Sequence, residues 1–324
     1  MRVVSCNSFA PVDQLVVEER PSPPLPDGHV RIAVTACGVN FVDALIVQGL
    51  YQLKPTLPFV PGGEVAGTVT EVAADVTSHA VGDRVFVTTG LSGGFASEVV
   101  MPAFRVIPTP STITDAQAAT FVQSYCTAWF ALHLRAKAQA GEWLLVLGAG
   151  GGVGLAAVDV GRAMGLRVIA AASSEAKREL AMAHGAEAVI DTSNEDLKVR
   201  AKELSGGGVH HVYDPVGGAM AEAGLRSLRD DGQLLVIGFA AGEIPKLPAN
   251  QILLRNRRVT GVDWGGWTFS HAAENAAMLA AVIAAVAKGE LHPVAPRTYP
   301  LTDVAEALTD QLERRVVGKS VLLP

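Results

Sequence analysis

The densest chemical signal in this 324-residue chain is Gly148-Ala149-Gly150-Gly151-Gly152-Val153-Gly154. It directly follows the apolar run Trp143-Leu144-Leu145-Val146-Leu147 and opens a helix-compatible stretch from Val153 to Met164. Glycines at such a junction let the backbone turn sharply and approach a pyrophosphate. The helix start then offers free N–H groups and the positive end of its dipole. A ligand-free glycine turn is the bland alternative, and it leaves the order strand, glycines, helix unexplained. A site preferring NAD carries an acidic residue about 20 positions after the first glycine, to hold the ribose hydroxyls. Here that region reads Ala170-Ala171-Ala172-Ser173-Ser174-Glu175-Ala176-Lys177-Arg178. Ser173 and Ser174 offer hydroxyls, and Lys177 and Arg178 offer positive charge, to a 2′-phosphate. NADPH is therefore the expected cofactor. Glu175 is out of keeping with it, and an ordinary helix surface is the competing account of Lys177 and Arg178.

The elements that must hold this loop alternate along the chain. Candidate strands are Trp143–Leu147, Arg167–Ala171, Ala188–Ile190, Val209–Tyr213 and Gln233–Ile237, with helical stretches between them. Fully apolar strands alternating with helices imply a doubly wound parallel sheet with right-handed crossovers. The first 120 or so residues have another texture. Short runs such as Val30–Val34, Gly67–Val72 and Asp83–Val87 stand between Pro and Gly boundaries, as in a compact β-rich unit. The segment Leu57–Gly63 holds two prolines and two glycines and is expected as a loop. Ala116 to Lys137 reads as helix. Two domains are expected, 1–122 completed by 271–324, and 123–270.

Composition removes several function classes. Hydrophobic residues make up 49% and charged residues 18%, with a net charge of −6. An acidic chain whose longest basic run is Arg255-Asn256-Arg257-Arg258 is a poor match for a phosphate backbone, so no nucleic-acid partner is expected. Cys6, Cys37 and Cys126 form no Cys-x-x-Cys, so neither a disulfide framework nor a structural zinc lobe is indicated. The apolar run Ala276–Ala287 is short of the ~20 residues a membrane span needs. No signal-like segment opens the chain, and a cytoplasmic protein is expected.

Four motifs in order carry a family resemblance. Gly38-Val39-Asn40-Phe41-Val42-Asp43, Pro61-Gly62-Gly63-Glu64-Val65-Ala66-Gly67, Val81-Gly82-Asp83-Arg84-Val85 and Gly151-Gly152-Val153-Gly154 resemble the medium-chain dehydrogenase/reductase superfamily. Within it the chain is similar to the zinc-free NADPH:quinone oxidoreductase branch, out to Gly318-Lys319-Ser320-Val321-Leu322. The resemblance implies an α/β fold, with a doubly wound Rossmann domain plus a GroES-like β-rich catalytic domain, and a homodimer built through the nucleotide domain. It implies cofactor contacts at Asn40, Thr127, Gly148, Ala149, Gly151, Gly152, Val153, Gly154, Ser173, Ser174, Lys177, Arg178, Gly238, Phe239 and Arg314, with Arg315 the alternative to Arg314.

The superfamily includes zinc alcohol dehydrogenases, and their ligand positions fall here on Asn40, Gly63 and Gln123. None is a usual zinc ligand, so no metal is expected. Reducing a simple ketone builds a localised alkoxide that zinc would stabilise as a Lewis acid. Without zinc the acceptor must spread its own charge, as a quinone or another conjugated carbonyl does. The protein then needs positioning and modest donors. Asn40, Tyr51 and Gln123 are the catalytic candidates, and the resemblance makes Tyr51 the donor to the acceptor oxygen; the competing account of Tyr51 is a ring packed on a wall. A 2-alkenal or enoyl-thioester reductase, and a non-catalytic NADPH-binding protein, remain open from sequence. The aromatic loop Trp264-Gly265-Gly266-Trp267 has no assigned place.

Overall fold

The computed structural model describes residues 1–324, and these fall into two compact units, Met1–Val122 with Pro293–Pro324, and Gln123–His292. The first boundary is the expected one. The second comes at 293 rather than 271, because the long Ala-rich helix and the turn after it stay with the nucleotide unit. Trp264 Nε1 donates to Asn275 at 2.9 Å, and the His292 N–H donates to Asp159 at 2.6 Å.

The first unit contains β1 (Arg2–Ser5), β2 (Val16–Glu19), β3 (His29–Val39), α1 (Phe41–Val47), β4 (Glu64–Val72), β5 (Arg84–Thr88), β6 (Glu98–Pro102) and β7 (Ile107–Pro108). A helix, α2 (Asp115–Trp129), leads into the second unit. β1 and β2 form a two-stranded ribbon, and a seven-stranded sheet runs β14 (Arg297–Pro300), β15 (Ser320–Leu323), β3, β4, β5, β7, with β6 also on β3. β3 is longer than the expected Val30–Val34, because it pairs antiparallel with β6 at its start, β4 along its length and β15 at its end. Gly38 permits that length: a Cβ there would stand 2.0 Å from the Ala119 carbonyl oxygen of α2. Val30, Ile32, Val65, Val69, Val85 and Phe95 form the core between the sheet layers.

The second unit follows with β8 (Trp143–Leu147), α3 (Gly152–Ala163), β9 (Arg167–Ala172), α4 (Glu175–Ala183), β10 (Ala188–Asp191), α5 (Leu197–Ser205), β11 (Val209–Asp214) and α6 (Gly218–Ser227). It continues through β12 (Leu228–Val236), α7 (Ala249–Leu253), β13 (Arg258–Gly261), α8 (Trp264–Thr268) and α9 (Ala272–Ala287). The chain then returns to the first unit with β14 (Arg297–Pro300), α10 (Val304–Leu312) and β15 (Ser320–Leu323). The second unit's sheet is wholly parallel, in the order β10-β9-β8-β11-β12-β13. The order reverses between β9 and β11 around β8, which is where open α/β sheets bind ligands beyond their carboxyl ends.

Two details depart from the sequence expectation. The helix expected to Lys137 turns π-helical from Phe130 to Ala136 and closes on a left-handed Lys137. β12 begins at Leu228 rather than Gln233, and its pairing with β11 is interrupted by a register shift beside the left-handed Asp231. The Trp264-Gly265-Gly266-Trp267 loop is the short helix α8, capped by Asp263, with Trp267 packed on Phe130 and stacked on His271. No helix is long and apolar enough to cross a membrane.

Candidate active site

The nucleotide unit presents its loops at the carboxyl ends of β8, β9, β11 and β12. The residues after β8 turn on the left-handed Gly148, and Gly151 is the N-cap of α3. The first-turn N–H groups, at Gly152, Val153 and Gly154, have no partner within the helix and point beyond its start. Gly154 is needed for closeness rather than for φ. A Cβ there would meet the Gly148 carbonyl oxygen at 2.3 Å and Ala149 Cα at 2.9 Å, so any side chain would lever the helix off the loop. Ala149 donates to the Ala171 carbonyl of β9, tying the glycine loop to the neighbouring strand.

The following loops interlock with this one. The Val216 side chain packs on Gly148, and Asp214, buried at the end of β11, accepts the N–H groups of Val216 and Gly217 at 2.9 Å each. Burial raises the Asp214 carboxyl above the usual carboxylate range, and those two N–H donors pull it partly back. Gly238 donates to the Asp214 carbonyl oxygen and Ala240 to that of Pro215, which places Gly238 and Phe239 beside the β11 loop. Gly148, Asp214 and Gly238 thus line one edge through backbone geometry.

Ser173 and Ser174 stand exposed at the end of β9, with Ser174 as the N-cap of α4. The Lys177 stem lies directly over Gly150, where a glycine Cβ would come within 2.3 Å of Lys177 Cβ. Gly150 is thus explained by the lysine that covers it. Arg178 has a different place. Its Nη1 lies 3.1 Å from Asp191 Oδ1 at the end of β10 and donates to the Ala172 carbonyl at 3.3 Å. The guanidinium ties the ends of β9 and β10 together. Accordingly, Arg178→Ala is expected to change the ratio of kcat/KM for NADPH over NADH by less than about threefold, measured by steady-state kinetics with both cofactors.

Thr127 on α2 donates its hydroxyl to the Gln123 carbonyl at 2.6 Å, which leaves the oxygen lone pairs as acceptors for a ligand N–H. Arg315 is committed to Asp310 and Glu313, and Arg314 is exposed on a left-handed turn.

In the β-rich unit the candidate residues gather around α1. Asn40 is its N-cap, and its backbone N–H donates to Asp43 Oδ2 at 2.7 Å. Asn40 Nδ2 donates to Glu64 at 2.9 Å, while its Oδ1 accepts from Lys319 Nζ at 2.5 Å. Asn40, Asp43, Glu64 and Lys319 are all buried. Burial pushes the Asp43 carboxyl up to about 7, with the Asn40 N–H and the Lys319 charge opposing and the Glu64 charge reinforcing the rise. Burial likewise lowers the Lys319 ammonium, against the pull of the Glu64 and Asp43 charges. Sequence reasoning missed Lys319, although a lone charge within Val316-Val317-Gly318-Lys319-Ser320-Val321-Leu322 was a visible signal. Tyr51 is half-buried with its ring against the β-unit core.

A zinc ion does not fit these residues. The Asn40 oxygen already holds an ammonium, and a second cation beside it would be repelled. Gly63 has no side chain and no room for one, since a Cβ would lie 2.6 Å from the Gly90 carbonyl oxygen.

Comparisons with known proteins identify the two units. Residues 26–111 match a family model described as the alcohol dehydrogenase GroES-like domain, and residues 152–282 one described as zinc-binding dehydrogenase. A quinone oxidoreductase-like protein 2 homolog from Nematostella vectensis is 38% identical over 329 residues, covering 99% of this chain and 88% of the relative. A probable oxidoreductase from Mycobacterium abscessus superposes with a TM-score of 0.88 at 35% identity, covering 100% of this chain and 99% of the other. The quinone oxidoreductase of Escherichia coli, solved in complex with NADPH, gives 0.89 at 27% identity with 100% of both chains covered. The chain belongs to the quinone oxidoreductase branch of the medium-chain dehydrogenase/reductase superfamily.

Proposed function

We propose that the protein is an NADPH-dependent oxidoreductase that passes a hydride to a conjugated acceptor, a quinone, without a metal ion. The observation that carries this reading is the Asn40 carboxamide clamped by an ammonium at the position where zinc-dependent relatives would place a ligand. The glycine loop with Ser174 and Lys177 supports the choice of cofactor, as do the NADPH complexes of similar proteins. NADPH, when bound, supplies the hydride.

The chain's own residues bind, orient and donate. The α3 N-terminus receives the pyrophosphate, Ser173, Ser174 and Lys177 receive the 2′-phosphate, and Thr127 with the Gly238–Phe239 edge holds the nicotinamide. Asn40, with Tyr51 and Gln123, offers hydrogen bonds to the acceptor oxygen. Such donors are enough when the new charge is already delocalised over the acceptor. NADPH oxidation measured against quinones, 2-alkenals and enoyl thioesters tests the reading. Highest kcat/KM on quinones is expected, and an enal or thioester preferred more than tenfold would replace the quinone as acceptor.

The protein is proposed to act as a homodimer. β13 is the outer strand of the six-stranded sheet, and Leu253 and Leu254 on α7 and the turn after it are 76% and 73% exposed. An unpaired strand edge flanked by bare leucines is a liability that a two-fold copy of the same edge removes. Leu253→Glu with Leu254→Glu should shift the chain from dimer to monomer in light scattering coupled to size exclusion. An unchanged mass would place the dimer contact elsewhere.

A further inference from the structure

A buried ammonium sits in the polar cluster of the β-rich unit, and the sheet register puts it there. Ser320 of β15 lies opposite Val39 of β3, and Glu64 of β4 lies opposite Gly38. The residues flanking those pairs, Lys319 and Asn40, therefore meet although 279 positions separate them in the chain, and Asn40 reaches Glu64. Lys319 is 6% exposed, Asn40 8%, Asp43 3% and Glu64 3%.

Such an arrangement is costly as a stabilising device. A buried charge loses several kcal/mol of hydration, and apolar side chains of the same volume commonly do as well or better. What the charges add is orientation. A carboxamide has two ends of similar size but opposite hydrogen-bonding character. Here an ammonium at the oxygen and a carboxylate at the nitrogen leave only one way round. With Oδ1 held by Lys319 and one Nδ2 proton given to Glu64, the second Nδ2 proton is left to a ligand.

We infer that Lys319 is a positioning residue of the reaction site, fixing the Asn40 carboxamide so that its remaining N–H meets the acceptor. The inference rests on the proposed role of Asn40 as a donor to the substrate. Lys319 is buried and its ammonium is given to Asn40, so its effect on the reaction is expected to pass through Asn40.

A double-mutant cycle tests this, with Lys319→Met, Asn40→Ala and their combination, measured as kcat/KM for a benzoquinone at saturating NADPH. Lys319→Met is expected to lose at least tenfold for the quinone, with KM for NADPH within twofold of the parent. In the Asn40→Ala background the same change is expected to cost less than twofold. Equal losses in both backgrounds, or full activity in Lys319→Met, would overturn the inference. Removing the cation leaves the Glu64 carboxylate buried without a counter-charge, so Lys319→Met with Glu64→Gln, whose amide oxygen can still accept from Asn40, serves as the charge-balanced variant. It should lose as much as Lys319→Met alone, and recovery of parental activity would show that charge balance rather than position matters. Selective 15N labelling of asparagine supplies a readout that needs no turnover: the Asn40 side-chain amide signals should move in Lys319→Met. If no acceptor is reduced, the functional proposal falls and this signal alone decides the role of Lys319. Unmoved signals would then overturn it.

Discussion

Replacing Ser174 and Lys177 together by alanine is expected to raise the dissociation constant for NADPH by about a hundredfold, with that for NADH within about threefold. The magnitude takes two hydrogen bonds to a charged group at the low end of their range, about 1.5 kcal/mol each, because the site is exposed; together they give about 3 kcal/mol, or about a hundredfold. Both residues reach the same place, since Ser174 caps α4 while Lys177, within its first turn, crosses the glycine loop at Gly150. Alanine keeps the Cβ that covers Gly150, so the loop is not opened by the change. Titration of both cofactors by fluorescence would check this. A parallel loss for NADH would mean that the loop had been disturbed, and no loss for either would remove these residues from the 2′-phosphate site.

Replacing Asp43 by asparagine is expected to change how stability depends on pH, and the sign is fixed by the buried cluster. The native carboxyl holds its proton up to about 7, whereas its ordinary value is 3.8. Between those limits the native state binds more protons than the unfolded one, so stability falls as pH rises. The contribution is fully present below the unfolded value and is lost as pH passes through about 7, a change of about 4 kcal/mol over the whole range. Asparagine does not titrate, and its amide oxygen can still accept the Asn40 N–H. The variant also weakens the charge balance around Lys319, but that cost does not follow the Asp43 titration. Urea unfolding at pH 5 and pH 8 should therefore show Asp43→Asn gaining on the parent by about 2–3 kcal/mol at the higher pH. Parallel pH profiles would contradict the buried, protonated Asp43.

The contrast between these sites shows what local sequence can carry. Strand, glycine loop and helix are contiguous, so the nucleotide site is written in one stretch from Trp143 to Met164, and β8, which leads into the loop, declares itself by being apolar throughout. The partner of Arg178 could not be read that way, because Asp191 reaches it only through the pairing of β9 with β10. Lys319 is harder still, brought to Asn40 by antiparallel pairing of strands from opposite ends of the chain. The return to the β-rich unit was misplaced for a related reason. The Ala-rich face of α9 suits either core, and only contacts such as Trp264 with Asn275 and Asp159 with the His292 N–H assign that segment. Composition gives a helix an apolar stripe, while long-range contacts decide what that stripe packs against.

Hydride transfer without a Lewis-acidic ion is what every part of the proposed function requires. The direct test is metal content and turnover on the same preparation: elemental analysis of the purified protein, then NADPH:benzoquinone activity before and after exhaustive chelation. Far less than one metal ion per chain, with activity unchanged by the chelator, is the predicted result. One tightly bound zinc per chain whose removal abolishes activity, or fast turnover of an unconjugated alcohol, would contradict it.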